Sequence, residues 1–131
     1  MGSIDKLAWV RIEHGRLLCV RSRGKDAFFL PGGKRETGES DEAALLREVE
    51  EELGVALRPE TLAPLHVFEA QAHGRPEGVL VRMTCFTGEY AGELRACAEI
   101  EEIAWLGPGD RARMSLVTGL IVDWLCARGS M

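Results

Sequence analysis

The sequence lacks features that would assign it to several large classes of protein. Basic residues are not in surplus, because 16 Lys and Arg stand against 21 Asp and Glu and give a formal net charge of −5. Sequence-independent binding to nucleic-acid backbone needs the opposite balance. No run approaches the ~20 apolar residues that cross a bilayer. We therefore expect no polymeric nucleic acid and no membrane among the partners.

Paired cysteines are also missing. The four cysteines, Cys19, Cys85, Cys97 and Cys126, are far apart and form no CxxC pair. Their spacing is typical of free thiols, mostly buried, in a reducing compartment. The start of the chain, with Asp5 and Lys6, does not resemble a secretory signal. These observations predict a cytoplasmic protein.

The chain has the size and composition of one globular domain. It contains 131 residues, of which 46% are hydrophobic and 28% charged, and no linker or internal repeat divides it. We expect a single domain over residues 1–131, either a monomer or a homodimer.

Short strands surround two helices in the predicted secondary structure. A turn at His14-Gly15 separates the first two strands, and Pro31-Gly32-Gly33 ends the third. The period of apolar residues predicts strands at Leu7–Glu13, Arg16–Ser22, Ala27–Leu30, Leu62–Ala70, Gly78–Thr87 and Ile100–Leu106. This alternation indicates an α/β fold.

A helix is predicted from Ser40 to Leu53. Ser40 is a good N-cap and Gly54 a typical C-terminal cap. The apolar positions fall on one face: Leu45, Leu46, Val49 and Leu53. A closing helix is predicted over Ser115–Ala127, with an inward face formed by Leu116, Leu120, Ile121, Trp124 and Leu125.

Three glutamates, Glu48, Glu51 and Glu52, share a second face of the first helix, whereas Glu50 points to solvent. By itself this acidic run is more typical of a solvated helix surface. Its context favours a metal site, because Gly32-Gly33 ends a strand where a bare carbonyl can face a ligand, and Arg47 lies beside the carboxylates. Hard oxygen ligands of this kind suit Mg²⁺ or Mn²⁺.

Residues 33–55 resemble the signature of the Nudix hydrolase family, G-x5-E-x7-R-E-U-x-E-E-x-G-U with U aliphatic. The chain reads GKRETGE at 33–39, SDEAALL at 40–46 and REVEEELGV at 47–55, so every specified position matches. The resemblance implies a Nudix-type α/β/α sandwich with a mixed central β-sheet. It also implies hydrolysis of a nucleoside diphosphate linked to a group X, with Mg²⁺ or Mn²⁺ as cofactor.

The resemblance also implies roles for individual residues. Glu51 and Glu52, with the carbonyl of Gly32, correspond to metal ligands, and Glu48 corresponds either to a ligand or to the base that deprotonates water. Arg47 corresponds to a residue that orients a carboxylate, either Glu51 or Glu39. A further ligand often lies outside the motif in this family, and we expect Glu99, with Glu102 as the alternative.

The substrate is less well specified. The segment from Pro31 to Glu36 resembles the MutT-like branch, whose members often act on unwanted nucleoside triphosphates. Lys34 is expected to reach a phosphate, and Arg21, Arg23 and Lys25 to form a phosphate-facing rim, with a merely solvated loop as the alternative.

Several residues differ from those that mark specialised branches of the family, which argues against the substrates of those branches. The chain has no asparagine, so the asparagine with which MutT reads an oxidised guanine is absent. Positions that mark ADP-ribose and diadenosine polyphosphate hydrolases fall at Ala70 and Ala72. The coenzyme A branch has a longer motif before Pro31 than this loop can hold.

Five rings are candidates for a base-stacking pocket, with core packing as the alternative: Phe28, Phe29, Phe68, His73 and Trp105. The alternative to an enzyme is a Nudix domain that binds a nucleotide or sugar nucleotide as a sensor. The intact set of glutamates favours the enzyme.

Overall fold

A mixed four-stranded sheet forms the centre of the fold in the computed structural model, which describes residues 3–131. Met1 and Gly2, the first residues of the expected domain, lie outside the described residues. The strands are β1 (Ser3–Trp9), β2 (Ile12–Glu13), β3 (Arg16–Ser22), β4 (Gly32–Gly33), β5 (Ala56–Leu57), β6 (Ala63–Gln71), β7 (Leu80–Thr87), β8 (Tyr90–Ala91) and β9 (Ile100–Leu106). The helices are α1 (Asp41–Leu53) and α2 (Leu116–Ala127).

The central sheet has the order β4-β1-β7-β6. Strand β1 is parallel to β7 and antiparallel to β4, and β6 is antiparallel to β7. A second, antiparallel sheet has the order β2-β3-β9, and β5 pairs with β8. The predicted mixed sheet is confirmed.

Strand β1 separates two apolar clusters, because successive side chains point to opposite faces of a sheet. Leu7 and Trp9 are buried with the apolar face of α1. Ala8 and Val10 are buried on the other side, with residues of α2. The two helices therefore cover opposite faces of the sheet, which confirms the expected α/β/α sandwich.

Helix α1 begins and ends where the sequence predicts. The Ser40 hydroxyl accepts a hydrogen bond from the Ala43 N–H at 3.1 Å. Gly54 adopts a left-handed conformation with φ of 69°, and its N–H bonds to the Glu50 carbonyl. Glycine carries no Cβ penalty there. These caps fix where the acidic face of α1 starts and stops.

The predicted inward face of α2 is partly wrong. Leu116 and Leu120 are 53% and 40% exposed. Ile121 and Leu125 are buried as predicted, and Trp124 is half-buried. The other buried side chains are Val117, Thr118 and Val122, which the prediction did not include. This helix is apolar on nearly all sides, so periodicity alone cannot select the face that meets the sheet.

Two predicted strands also differ from the structure. The first starts at Ser3 and breaks after Trp9, resuming only at Ile12–Glu13. The segment Ala27–Leu30 is not a regular strand, because Phe29 bridges to Val20 and Phe28 bridges to Met114 on a different segment. Neighbouring residues that pair with different partners cannot extend one ladder.

The cysteines of the described residues are all free. Cys19 and Cys85 are buried, as predicted, and burial raises the pKa of each thiol to about 12. Cys97 and Cys126 are half-buried. No helix within residues 3–131 is long and apolar enough to span a membrane.

The packing of α2 predicts unequal losses of stability on substitution of two leucines of this helix. Leu125→Ala should lower the free energy of unfolding by ~2–5 kcal/mol, because it removes a side chain that is 1% exposed. Leu120→Ala, at a site 40% exposed, should cost less than ~1 kcal/mol. Chemical denaturation measures both, and equal losses would contradict the packing described here.

Candidate active site

Glu52 is the most buried carboxylate of α1, at 7% exposure. Its Oε1 accepts a hydrogen bond from the Gly32 N–H in β4 at 3.0 Å. Burial raises the pKa of this carboxyl to about 8, and the charges of Glu48 and Glu99 add to the effect. Among residues 3–131 no ion pair includes Glu52. A carboxylate in this setting favours a cationic ligand.

The two glycines of β4 leave room for strand β1 on one side and for the Glu48 side chain of α1 on the other. Gly32 has φ of 144°, and a Cβ there would overlap the carbonyl of Leu7. At Gly33 a Cβ would overlap the carboxyl group of Glu48. The Gly-Gly pair is therefore required sterically, both for the β1–β4 contact and for the approach of Glu48.

Arg47 and Glu39 form a two-pronged ion pair beside the glutamates. Nε and Nη2 of Arg47 donate to the two Glu39 oxygens, each at 2.8 Å. This pair, together with the Glu36 N–H, lowers the pKa of Glu39 to about 2. The sequence predicts either Glu51 or Glu39 as the partner of Arg47. Glu39 is the main partner, because both of its oxygens lie 2.8 Å from the guanidinium, whereas Glu51 lies 3.5 Å from Nη1.

Arg47 also reaches the acidic face of α1. Its Nη1 lies 3.4 Å from Glu48, and its Nη2 donates to the Lys34 carbonyl at 3.1 Å. Burial raises the pKa of Glu48, while Arg47 opposes the rise. The guanidinium thus joins the loop, Glu39 and the acidic face into one hydrogen-bonded unit.

The glutamates do not form a closed metal cage. Within the described part of the chain, no three His, Cys, Asp or Glu side chains converge as a metal site. Glu51 is exposed, and Glu48 lies beside Arg47. The donor set is nevertheless all oxygen, and the buried, unpaired carboxylate of Glu52 fits a hard divalent cation that retains some of its waters. Glu50 points to solvent, as predicted.

Of the two candidates outside the motif, Glu99 lies nearer to this face. Its charge raises the pKa of both Glu48 and Glu52. Glu102 instead pairs with Arg21 at 3.2 Å. Its charge effect on both glutamates, and the pairing of Glu102 with Arg21, therefore favour Glu99 over Glu102 as the additional acidic group.

A cavity of about 160 Å³ opens beside Gly32 and Glu52. One part of its wall is apolar and includes Phe29, which packs edge-to-face with His73. The charged and polar residues of the lining are Lys6, Ser22, Lys25, Glu52, His73 and Arg75. The volume lies below the ~300–1,000 Å³ of sites that enclose a whole drug-sized ligand, so it fits only part of a ligand of that size.

Sequence reasoning missed Lys6 and Arg75. A signal existed for Lys6, because it lies in β1 two residues before the buried Ala8 and therefore on the same inward face. Arg75 belongs to the connection between β6 and β7, and its position relative to the cavity depends on how that loop folds. Nothing in the sequence pattern indicates it.

Only two of the five candidate rings line the cavity, namely Phe29 and His73. Phe28 and Phe68 are core residues on the α2 side. Trp105 packs against the cluster on the α1 side. For these three, core packing is the observed role.

Of the predicted phosphate-facing cations, Lys25 lines the cavity, whereas Arg21 and Arg23 contact other groups. Lys34 is exposed, and its charge lowers the pKa of Lys6. Arg21 pairs with Glu101 at 2.8 Å, and Arg23 donates to the Ala98 carbonyl at 2.7 Å. A phosphate would have to compete with these contacts for either arginine.

Gly33→Ala tests the close approach of Glu48. The added methyl must displace the Glu48 carboxyl, so turnover with a divalent cation should fall by at least ~10-fold while the protein stays folded. Gly109→Ala is the matched control, because a Cβ at Gly109 meets nothing within 4 Å. Steady-state kinetics with circular dichroism measure both effects. Equal activity in the two variants would contradict the required approach.

The raised pKa of Glu52 predicts how stability depends on pH without metal. Between ~4.3, the pKa of a free glutamate, and about 8 in the folded protein, the folded form holds a proton that the unfolded form has lost. Stability should therefore fall as pH rises from 5 to 8. Thermal unfolding of metal-free protein measures this, and Glu52→Gln should flatten the slope. Parallel profiles for wild type and variant would refute the assignment.

Comparison with known proteins identifies the family. The NUDIX domain model matches residues 6–124. A "MutT-like protein" from Streptomyces ambofaciens is 30% identical over 98 residues, which cover 75% of this chain and 59% of that relative, so the match spans less than two thirds of the relative's length.

Solved structures show the same fold. A MutT NUDIX hydrolase from Burkholderia pseudomallei superposes with a TM-score of 0.75 at 23% identity, covering 93% of this chain and 96% of that one. The E. coli ORF135 protein superposes with a TM-score of 0.74 at 22% identity, covering 99% and 94%. With the complete motif at 33–55, the family match places this chain in the NUDIX domain family.

Proposed function

We propose that the chain is a Mg²⁺-dependent hydrolase of a nucleoside diphosphate linked to a group X, with Mn²⁺ as a substitute cation. The products are a nucleoside monophosphate and phosphorylated X, and nucleoside triphosphates are the first substrates to test. The observation that carries the proposal is Glu52, a buried carboxylate without a cationic partner in the described chain, held at the mouth of the cavity.

The residues that would hold the cation are Glu51, Glu52 and the carbonyl of Gly32, with Glu99 as the ligand outside the motif. Gly32 lies opposite Ala8, between the hydrogen-bonded pairs of the β1–β4 ladder, and its N–H is directed to Glu52. In such a ladder the carbonyl of a residue lies on the same side as its N–H. A bound divalent cation neutralises the glutamates and stabilises negative charge on the phosphate.

Glu48 has either of two roles, to complete the metal site or to take the proton of the attacking water. Its position between Gly33 and Arg47 supports both, because the carboxyl is partly buried and restrained. Arg47 and Glu39 act as positioning residues, since their two-pronged contact holds the loop against α1.

Substrate phosphates would lie over the metal-binding face, with Lys34 beside them. Arg21 and Arg23 would form the outer rim, if a phosphate displaces the contacts that they make to Glu101 and Ala98. The nucleoside would extend into the cavity lined by Phe29 and His73.

We further propose that residues 1–131 act as one domain, and that the free thiols reflect a cytoplasmic location.

Substitution of the metal-binding glutamates tests the mechanism. Glu51→Gln and Glu52→Gln should each lower turnover by at least ~10²-fold, because either change removes a charged ligand while conserving shape. The assay measures release of monophosphate, and of pyrophosphate from triphosphates, with Mg²⁺. Glu50→Gln is the matched control, since Glu50 is the adjacent exposed glutamate and should retain full turnover.

The same assay separates an enzyme from a sensor. Unchanged turnover in both glutamine variants would rule out the mechanism. Tight nucleotide binding by wild type without turnover on any nucleotide would instead support a binding domain.

A further inference from the structure

The ammonium group of Lys6, which lines the cavity, forms no salt bridge within residues 3–131. Lys6 is half-buried in β1, and none of the ion pairs in the described residues involves it. Burial lowers its pKa, and the neighbouring cations Lys34, Lys25 and Arg75 contribute in the same direction. Only Glu52, whose oxygen is bonded to Gly32, opposes them. A half-buried ammonium group without a salt bridge favours a ligand that offers it a hydrogen-bond acceptor.

The surroundings of Lys6 indicate what part of a ligand meets it. Its Nζ lies 5.9 Å from the centroid of the Phe29 ring. Apolar side chains complete this half of the cavity, including Ile4, Val81 and Met83. An apolar wall beside an aromatic ring suits a nucleobase, which stacks, better than a phosphate, which is strongly hydrated.

Three of the six polar and charged side chains of the wall are hydrogen-bond donors only. Lysine and arginine side chains donate and cannot accept, and the cavity contains Lys6, Lys25 and Arg75. An exocyclic oxygen of a base accepts a hydrogen bond, whereas an exocyclic amino group only donates. A lysine that faces the O6 and N7 atoms of a purine therefore discriminates the oxo form from the amino form.

We propose that Lys6 is a specificity residue that selects nucleotides whose base presents an oxo group, as in 6-oxopurines and 4-oxopyrimidines, over the corresponding amino bases. This inference rests on the proposed function for the position of the nucleotide in the cavity. It adds what the Nudix motif does not contain, namely a rule for which base is accepted.

The test uses pairs of ligands that differ mainly at this exocyclic group. Inosine and adenosine monophosphate form one pair, and uridine and cytidine monophosphate form the other. Calorimetry without metal measures binding independently of hydrolysis, so a failed hydrolysis assay does not affect the result. Wild type should bind the oxo member at least ~10-fold more tightly in each pair, which corresponds to the lower end of base discrimination by one side chain.

Three variants assign the preference to Lys6. Lys6→Met conserves length and apolar contact but removes the donor, and should bring the members of each pair within ~2-fold. Lys6→Arg, which retains a donor, should preserve the preference. Lys25→Met removes a second lysine of the same cavity, and should weaken both members equally without changing their ratio.

Kinetics with the corresponding triphosphates provide a second readout. In Lys6→Met the loss should appear in KM for the oxo substrates, with kcat nearly unchanged. The proposal is overturned if wild type shows no preference or no binding, or if Lys6→Met retains the preference. Equal weakening of all four ligands by Lys6→Met would also overturn it, because that pattern assigns Lys6 to the phosphate.

Discussion

The contact between Glu52 and the backbone N–H of Gly32 joins the two elements on which the site depends. It holds the acidic face of α1 against the short strand β4 at 3.0 Å. Both residues of β4 are glycine, which leaves room for strand β1 beside Gly32 and for the Glu48 carboxyl beside Gly33. In this position the Glu52 carboxyl is buried and forms no salt bridge within the described chain. Burial raises its pKa to about 8. The folded protein therefore contains a buried carboxyl group, that of Glu52, whose charged form a bound divalent cation would stabilise.

Basic side chains beside the glutamates partly balance their negative charge. Arg47 lies within 3.5 Å of Glu48 and Glu51, and its fork to Glu39 ties the preceding loop to the helix. Lys6 lies on the cavity side of the same carboxylates. Arg47 thus balances the charge of the acidic face of α1, whereas Lys6 lines the cavity beside it.

Much of this arrangement could be predicted from the sequence, because local signals determine it. Ser40 and Gly54 mark the ends of α1, and helical spacing separates Glu48, Glu51 and Glu52 from Glu50. The depth of Glu52 could not be predicted, since it depends on β4, a two-residue strand without a periodic pattern. The orientation of α2 could not be predicted either, because apolar residues occupy almost every side of it. Tertiary contacts alone select the buried face.

The central claim is that Glu52 exchanges a proton for a divalent cation. Titration calorimetry of metal-free protein with Mg²⁺ at pH 7, repeated in buffers of different ionisation enthalpy, measures protons released on binding. We expect wild type to release close to one proton, because a carboxyl with a pKa of about 8 is protonated before the cation binds. Glu52→Gln should release almost none and bind more weakly. Mg²⁺ binding of equal affinity and equal proton release in both proteins would contradict the account.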